Sequence, residues 1–261
     1  MVGIDRQTIE GENEMNWDKV IPKRVIGTLS PLSMTEYSAM EFYRIAPKDV
    51  LCLYVSVGLK KFSPADVERV FKPVEKLVDQ LLQRDADIIV QSGVPLPILI
   101  GVKAHDKLMN RIQKHAKKPV SSSVTAVVNA AKHLGIKNIA LGNKWSDKMN
   151  ANLAEFFARK GIKVAGVCSK SMTPDTFLKM DTQAGMDLAY ELGKRAIEEN
   201  PKADGLYVGG GAWLVLPVME FLEKEFDLPC ISNQDAVLWD CLHQVDYWKP
   251  TKVSTRLLAG T

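Results

Sequence analysis

Several features that would assign a function outright are missing from this sequence. Cysteine is scarce: Cys52, Cys168, Cys230 and Cys241 are widely spaced and form no CxxC pair. That excludes a disulfide scaffold and predicts four reduced thiols in a reducing, cytoplasmic compartment. The four histidines, His105, His115, His133 and His243, show no zinc-ligand spacing, so no metal is expected. No apolar run approaches the roughly 20 residues that span a bilayer, so no membrane association is expected. The net charge is only +3, and no Lys/Arg cluster is interleaved with aromatics. Nucleic acid is therefore not an expected partner. The short basic run from His115 to Lys118 reads as a helix C-terminus, where cations favour the dipole. Residues 1–23 are polar and acid-rich, lack the apolar segment of a secretory signal, and read as an N-terminal extension.

What is present is an internal repeat. Apolar runs rich in β-branched residues occur at Arg24–Ser30, Val50–Val57, Asp87–Gly93 and Pro119–Ser123, and again at Asn138–Asn143, Lys163–Ser169, Asp204–Gly210 and Pro229–Asn233. Arg24 corresponds to Asn138, Asp87 to Asp204 and Pro119 to Pro229, shifts of 114, 117 and 110. Both third runs open on the Asp of an Ala-Asp pair, and both fourth runs begin with Pro. Four elements in one order at a near-constant shift indicate duplication. Continuous rather than alternating apolar runs suit strands buried on both faces of a parallel sheet.

Helical patterns fill the gaps. Val67, Val70, Phe71, Val74, Leu77, Val78 and Leu81 mark one helical face, which Pro73 should kink or divide. Segments Thr125–Leu134 and Asp147–Lys160 are each followed by glycine, Gly135 and Gly161, and Asp181–Asn200 and Trp213–Phe226 complete the set. The predicted fold is α/β, with two pseudosymmetric doubly wound parallel-sheet, Rossmann-like lobes and a cleft between them. The expected division is 24–110 plus 224–261 for the first lobe and 111–223 for the second, the fourth strand of each half exchanging lobes. Self-association into a homo-oligomer is left open.

In such sheets ligands bind beyond the carboxyl ends of the strands. The candidates there are Ser30, Ser92, Gly93, Ser122, Asn143, Lys144, Trp145, Gly210, Gly211, Trp213, Gln234 and Asp235. Free amides near helix N-termini among small polar residues suit a small carboxylate. Helix capping alone would equally account for Ser123 and Asp235. The Gly209–Gly211 run is not GxGxxG and has no ribose-binding acid at the usual distance, so a dinucleotide is not expected.

The stretches Ala86–Gly101, Ser123–Phe157 and Ala203–Asp240 resemble the aspartate/glutamate racemase superfamily, in its arylmalonate decarboxylase and maleate cis-trans isomerase branch. The likeness runs from Arg24 to Gln244. It implies a cofactor-free protein that holds a substrate carboxylate between two lobes, on backbone amides and small polar side chains. It also implies thiol chemistry, with a cysteine at one or both third strand ends. Here Gly93 and Gly210 stand at those ends, Val94 and Pro95 replace the hydroxyl residues that follow the first, and Trp145 replaces a tyrosine.

Three readings follow. The favoured one is a cofactor-independent isomerase, lyase or hydrolase that acts by non-thiol chemistry on a small carboxylate, cyclic or unsaturated acid, or amide. The two glycines would enlarge its cleft, Trp145 and Trp213 would stack on the substrate, and Lys144 and Asp235 would supply charge or a general base. The second is a carboxylate-binding pseudoenzyme. The third relocates the thiol to Cys168.

Overall fold

The computed structural model describes residues 21–32, 37–61, 63–210, 213–251 and 255–260. Its first half runs β1 (Arg24–Ser30), α1 (Tyr37–Ile45), β2 (Val50–Ser56), α2 (Pro64–Phe71), α3 (Val74–Leu82), β3 (Ile88–Gln91), α4 (Pro95–Ile100), α5 (Val102–Ala116), β4 (Val120–Ser122) and α6 (Ser123–His133). The second runs β5 (Asn138–Asn143), α7 (Asp147–Arg159), β6 (Lys163–Ser169), α8 (Pro174–Leu178), α9 (Thr182–Glu198), β7 (Gly205–Val208), α10 (Leu216–Phe226), β8 (Cys230–Ile231), α11 (Asn233–Gln244) and α12 (Arg256–Ala259). Pro73 does divide its helix, because a residue without an N–H cannot continue the ladder.

Two parallel sheets result, ordered β2-β1-β3-β4 and β6-β5-β7-β8. The repeated order is the predicted duplication, and the repeated Ala-Asp pair has a structural task. Asp87 accepts the Val25 N–H at 2.8 Å, and Asp204 accepts the Asn138 N–H at 2.7 Å. Each acid pins the first strand of its own sheet at the same point.

The expected strand exchange does not occur. β4 pairs with β3 and β8 with β7, so residues 120–122 and 230–231 stay with the sheets of their own halves. The expected boundaries at 110 and 224 put these two strands on the wrong side. It is the following helices that meet between the sheets, where α6 and α11 pack together. Asp240 of α11 accepts from Ser121 and, at 2.7 Å, from Asn129, which binds the two halves through a buried polar link.

Burial falls into three apolar layers. A central one joins Ile26, Phe42, Val90, Val127, Leu141, Phe157, Ile231 and Leu238 from both sheets and the helices between them. The outer face of the first sheet is covered through Val67, Val78 and Ile112, and that of the second through Ala189, Leu192 and Met219. Both sheets are thus covered on both faces, which explains their uninterrupted apolar strands. Among the described residues no helix is long and apolar enough to cross a membrane.

Candidate functional site

The two third strand ends are crowded rather than enlarged. Gly93 has φ +91°, a conformation favouring glycine, and a Cβ there would lie 2.9 Å from Pro31 Cγ. A Cβ on Gly210 would lie 2.4 Å from Val215 Cγ2. Pro31 and Val215 therefore fill the space that side chains at these positions would need, which corrects the expectation of a cleft widened by glycine. The Gly93 N–H is also engaged, donating to Ser123 Oγ at 3.0 Å. Gly211 lies outside the described residues.

Around the ends of β5 and β7 the structure gathers Asn143, Lys144, Trp145, Gly210 and Trp213. Asn143 is fully buried; its Oδ1 accepts the Trp145 N–H at 3.0 Å, while its Nδ2 has no hydrogen-bond partner among the described residues. A buried donor left open costs free energy, which marks a place where a ligand acceptor would fit. Lys144 is 2% exposed, and its Nζ stands 4.0 Å above the Trp213 ring and 5.1 Å from the Phe177 ring. Trp213 donates its indole N–H to Gly209 O at 2.7 Å, and the Trp145 ring lies 2.8 Å from where a Cβ on Gly209 would be. Both tryptophans reach Gly209, but Trp145 belongs to the central core and one face of Trp213 is taken by Lys144. The expected stacking pair is not arranged as an open sandwich.

The remaining candidates separate. Ser92 and Gln234 line a small cavity of about 10 Å³ with Thr28, Ser38 and Cys52, room for about one water. Ser30 ends β1, buried, with its carbonyl accepting from Val57. Ser122 caps α6, accepting from Thr125 N at 3.2 Å and meeting His105 Nε2 at 3.1 Å. Asp235 is wholly buried. Its Oδ1 accepts from Ser232 N at 2.9 Å, Ser232 Oγ at 3.0 Å and Ala236 N at 2.7 Å, completing a capping box at α11. Burial raises its pKa to about 8. The capping alternative is the one this geometry gives.

The thiols are poorly suited to chemistry. All four are buried and unpaired. Burial, with a hydrogen bond to Glu199, pushes Cys168 up to about 11, and it packs on the outer layer of the second sheet. Cys52 lines the small cavity, but burial pushes it to about 11 as well. Burial also holds Cys230 and Cys241 well above the ordinary thiol range. The thiolate is the reactive form, so none of these is activated.

One residue was missed from sequence. Glu41 of α1 is 1% exposed and crosses to the second half, where its Oε1 accepts the N–H groups of Val215 and Leu216, both at 2.8 Å. Its Oε2 has no hydrogen-bond partner among the described residues. Burial raises its pKa against the pull of these two amides and the positive charges of Lys144 and Arg44. The available signal was spacing: Glu41, Phe42 and Ile45 share the buried face of α1. Among the described residues no cluster of three or more His, Cys, Asp or Glu could hold a metal.

Comparison with known proteins agrees with this architecture. The model of the arylmalonate decarboxylase family matches residues 46–258. Arylmalonate decarboxylase from Bordetella bronchiseptica is 26% identical over 187 residues, covering 71% of this chain and 76% of that protein. A liganded arylmalonate decarboxylase variant, with one glycine changed to cysteine and one cysteine to serine, superposes with a TM-score of 0.79 at 21% identity, covering 91% of this chain and all of that one. Maleate cis-trans isomerase from Nocardia farcinica, in a cysteine-to-serine variant carrying a covalent succinylcysteine intermediate, gives 0.77 at 18% identity, covering 91% and 99%. These structural likenesses show the two-lobed fold.

Proposed function

Since the chain belongs to the arylmalonate decarboxylase family, we propose that it is a cofactor-independent lyase or isomerase of a small carboxylate that works in the interlobe cleft without a thiol. The relatives named above are a decarboxylase of arylmalonates and an isomerase of maleate, and the latter carries its intermediate on a cysteine. The observation that carries the non-thiol reading is the filling of both third strand ends: Pro31 and Val215 occupy the side-chain space at Gly93 and Gly210. Lys144 and Asn143, one strand away, are the polar groups best placed to act.

In this reading Asn143 Nδ2 donates to a substrate carboxylate oxygen. Lys144 attracts the carboxylate and stabilises the negative charge that develops when a carboxyl group leaves or a double bond is polarised. In a decarboxylation its N–H delivers the proton that takes the place of the departed carboxyl group, and solvent restores it. The aromatic wall of Trp213 and Phe177 excludes water and strengthens these interactions. Asp235 keeps its capping role. The test is turnover of phenylmalonate, read as carbon dioxide release, and of maleate, read as fumarate, by the wild type and Lys144→Met. Turnover in the first and its collapse in the second support the reading. Binding of either acid with no turnover would favour the pseudoenzyme.

A further inference from the structure

The N-terminus of α10 already holds a carboxylate, and that carboxylate belongs to the protein. Two consecutive amides, of Val215 and Leu216, converge at 2.8 Å on one oxygen of Glu41. Lys144, whose Nζ stands 4.0 Å above the ring of Trp213, two residues before Val215, brings its positive charge to bear on the same group. The bound carboxylate is only half satisfied, because Oε2 is buried with no hydrogen bond among the described residues. Glu41 also reaches this place from α1, an element of the other half, rather than from the loop it caps. A helix terminus with two aimed amides, a neighbouring cation and the aromatic wall of Trp213 is a carboxylate receptor.

We infer that the Val215 and Leu216 amides, together with Lys144, form a subsite for one carboxylate of a small dicarboxylic acid, and that Glu41 is its internal occupant in the ligand-free chain. The inference rests on the reading of the cleft as a small-carboxylate site and adds which atoms take the second carboxyl group. Glu41 and the ligand compete for the same two N–H groups. The apparent affinity for a dicarboxylate is therefore lowered by the fraction of molecules in which Glu41 is seated. Removing the occupant should tighten binding, whereas removing an ordinary binding or packing residue weakens it.

The experiment is isothermal titration with maleate of the wild type, Glu41→Ala, Glu41→Gln and the double variant Glu41→Ala/Lys144→Met. Backbone amide shifts are followed by heteronuclear NMR in parallel. Glu41→Ala is expected to bind maleate about tenfold more tightly than the wild type, with the Val215 and Leu216 amides shifting on binding. The added Lys144→Met change should abolish the gain. Glu41→Gln, which keeps the side-chain volume but is a weaker amide acceptor, should gain in the same direction and serves if the alanine variant fails to fold. Unchanged or weaker binding in the folded variants, or maleate binding that leaves both amides unshifted, would overturn the inference. Turnover is not the readout, so the two readings fail separately. A wild type inactive on maleate and phenylmalonate, with tighter binding in Glu41→Ala, removes the proposed activity and leaves the subsite. Turnover with no gain in Glu41→Ala does the reverse.

Discussion

The two interlobe joints answer each other in the repeat, yet they differ in chemistry. On one, α1 reaches the start of α10, and a buried carboxylate, Glu41, accepts from two backbone amides close to Lys144. On the other, α7 reaches α4, and a half-buried neutral amide, Asn152, donates to Ile98 O at 2.8 Å. Beside this second contact lies a groove of about 240 Å³ lined by Ile98, Gly101, Asn152, Glu155 and Phe156. The α7–α4 joint is a helix packed on a helix, whereas α1 is tied to the start of α10 through the Glu41 carboxylate, and buried charge lies only at the latter. A buried charge is costly unless it is paired, and the proposed chemistry is placed at the joint that carries Glu41 and Lys144.

The comparison can be broken most directly at Lys144. Lys144→Met should lower kcat/KM for the accepted acid by about 10²- to 10⁴-fold, the usual worth of a positioned proton donor. Asn152→Ala, at the neutral joint, should leave it within a few-fold. Equal losses in steady-state assays of the two variants would mean that the joints are equivalent after all.

The paired glycines give the next largest effect. Cysteine at Gly210 must push Val215 aside, and Gly210→Cys should destabilise the fold by about 1–3 kcal/mol, relieved by a second Val215→Ala change. Gly93→Cys should be rescued less by Pro31→Ala, because its φ of +91° strains any side chain whatever the space. Denaturant melts of the four variants measure this, and equal rescue at both ends would refute it.

The dependence of stability on pH tests the cap at α11. Asp235 has its pKa raised from 3.8 to about 8 by burial, so the folded state binds a proton that the unfolded state releases across that window. Stability is full below about pH 4 and falls as pH rises towards 8, with a slope of at most about 1.4 kcal/mol per unit. Asp235→Asn should flatten this decline when unfolding is followed between pH 4 and 8. An unchanged slope would show that Asp235 is ionised throughout.

Much of this architecture was legible in the sequence because it rests on local and periodic rules. The Ala-Asp repeat reported duplication, which the pinning of the first strands by Asp87 and Asp204 explains, and Pro73 reported a helix break. The strand exchange was misjudged because β4 and β8 are only three and two residues long. Their partners are set by the packing of α6 against α11 and by Asp240, which no short run encodes. In the proposed site, Asn143 and Lys144 follow from lying at the end of β5 and Trp213 from the segment between β7 and α10. Glu41 does not, since its role depends on a helix from one half meeting a helix start in the other. The supposed room at Gly93 and Gly210 failed for the same reason: Pro31 and Val215, which fill it, are distant from or beyond the glycines in sequence.

The central claim is that this cleft needs no sulfur, and alkylation tests it most directly. The measurement is kcat/KM for phenylmalonate or maleate before and after exhaustive iodoacetamide treatment of the folded protein, with the extent of labelling at each cysteine read by mass spectrometry. With Cys52 and Cys168 buried and pushed up to about 11, and with no sulfur at Gly93 or Gly210, activity should be unchanged. Activity lost in proportion to labelling of Cys52 or Cys168, while circular dichroism shows the fold intact, would contradict the account.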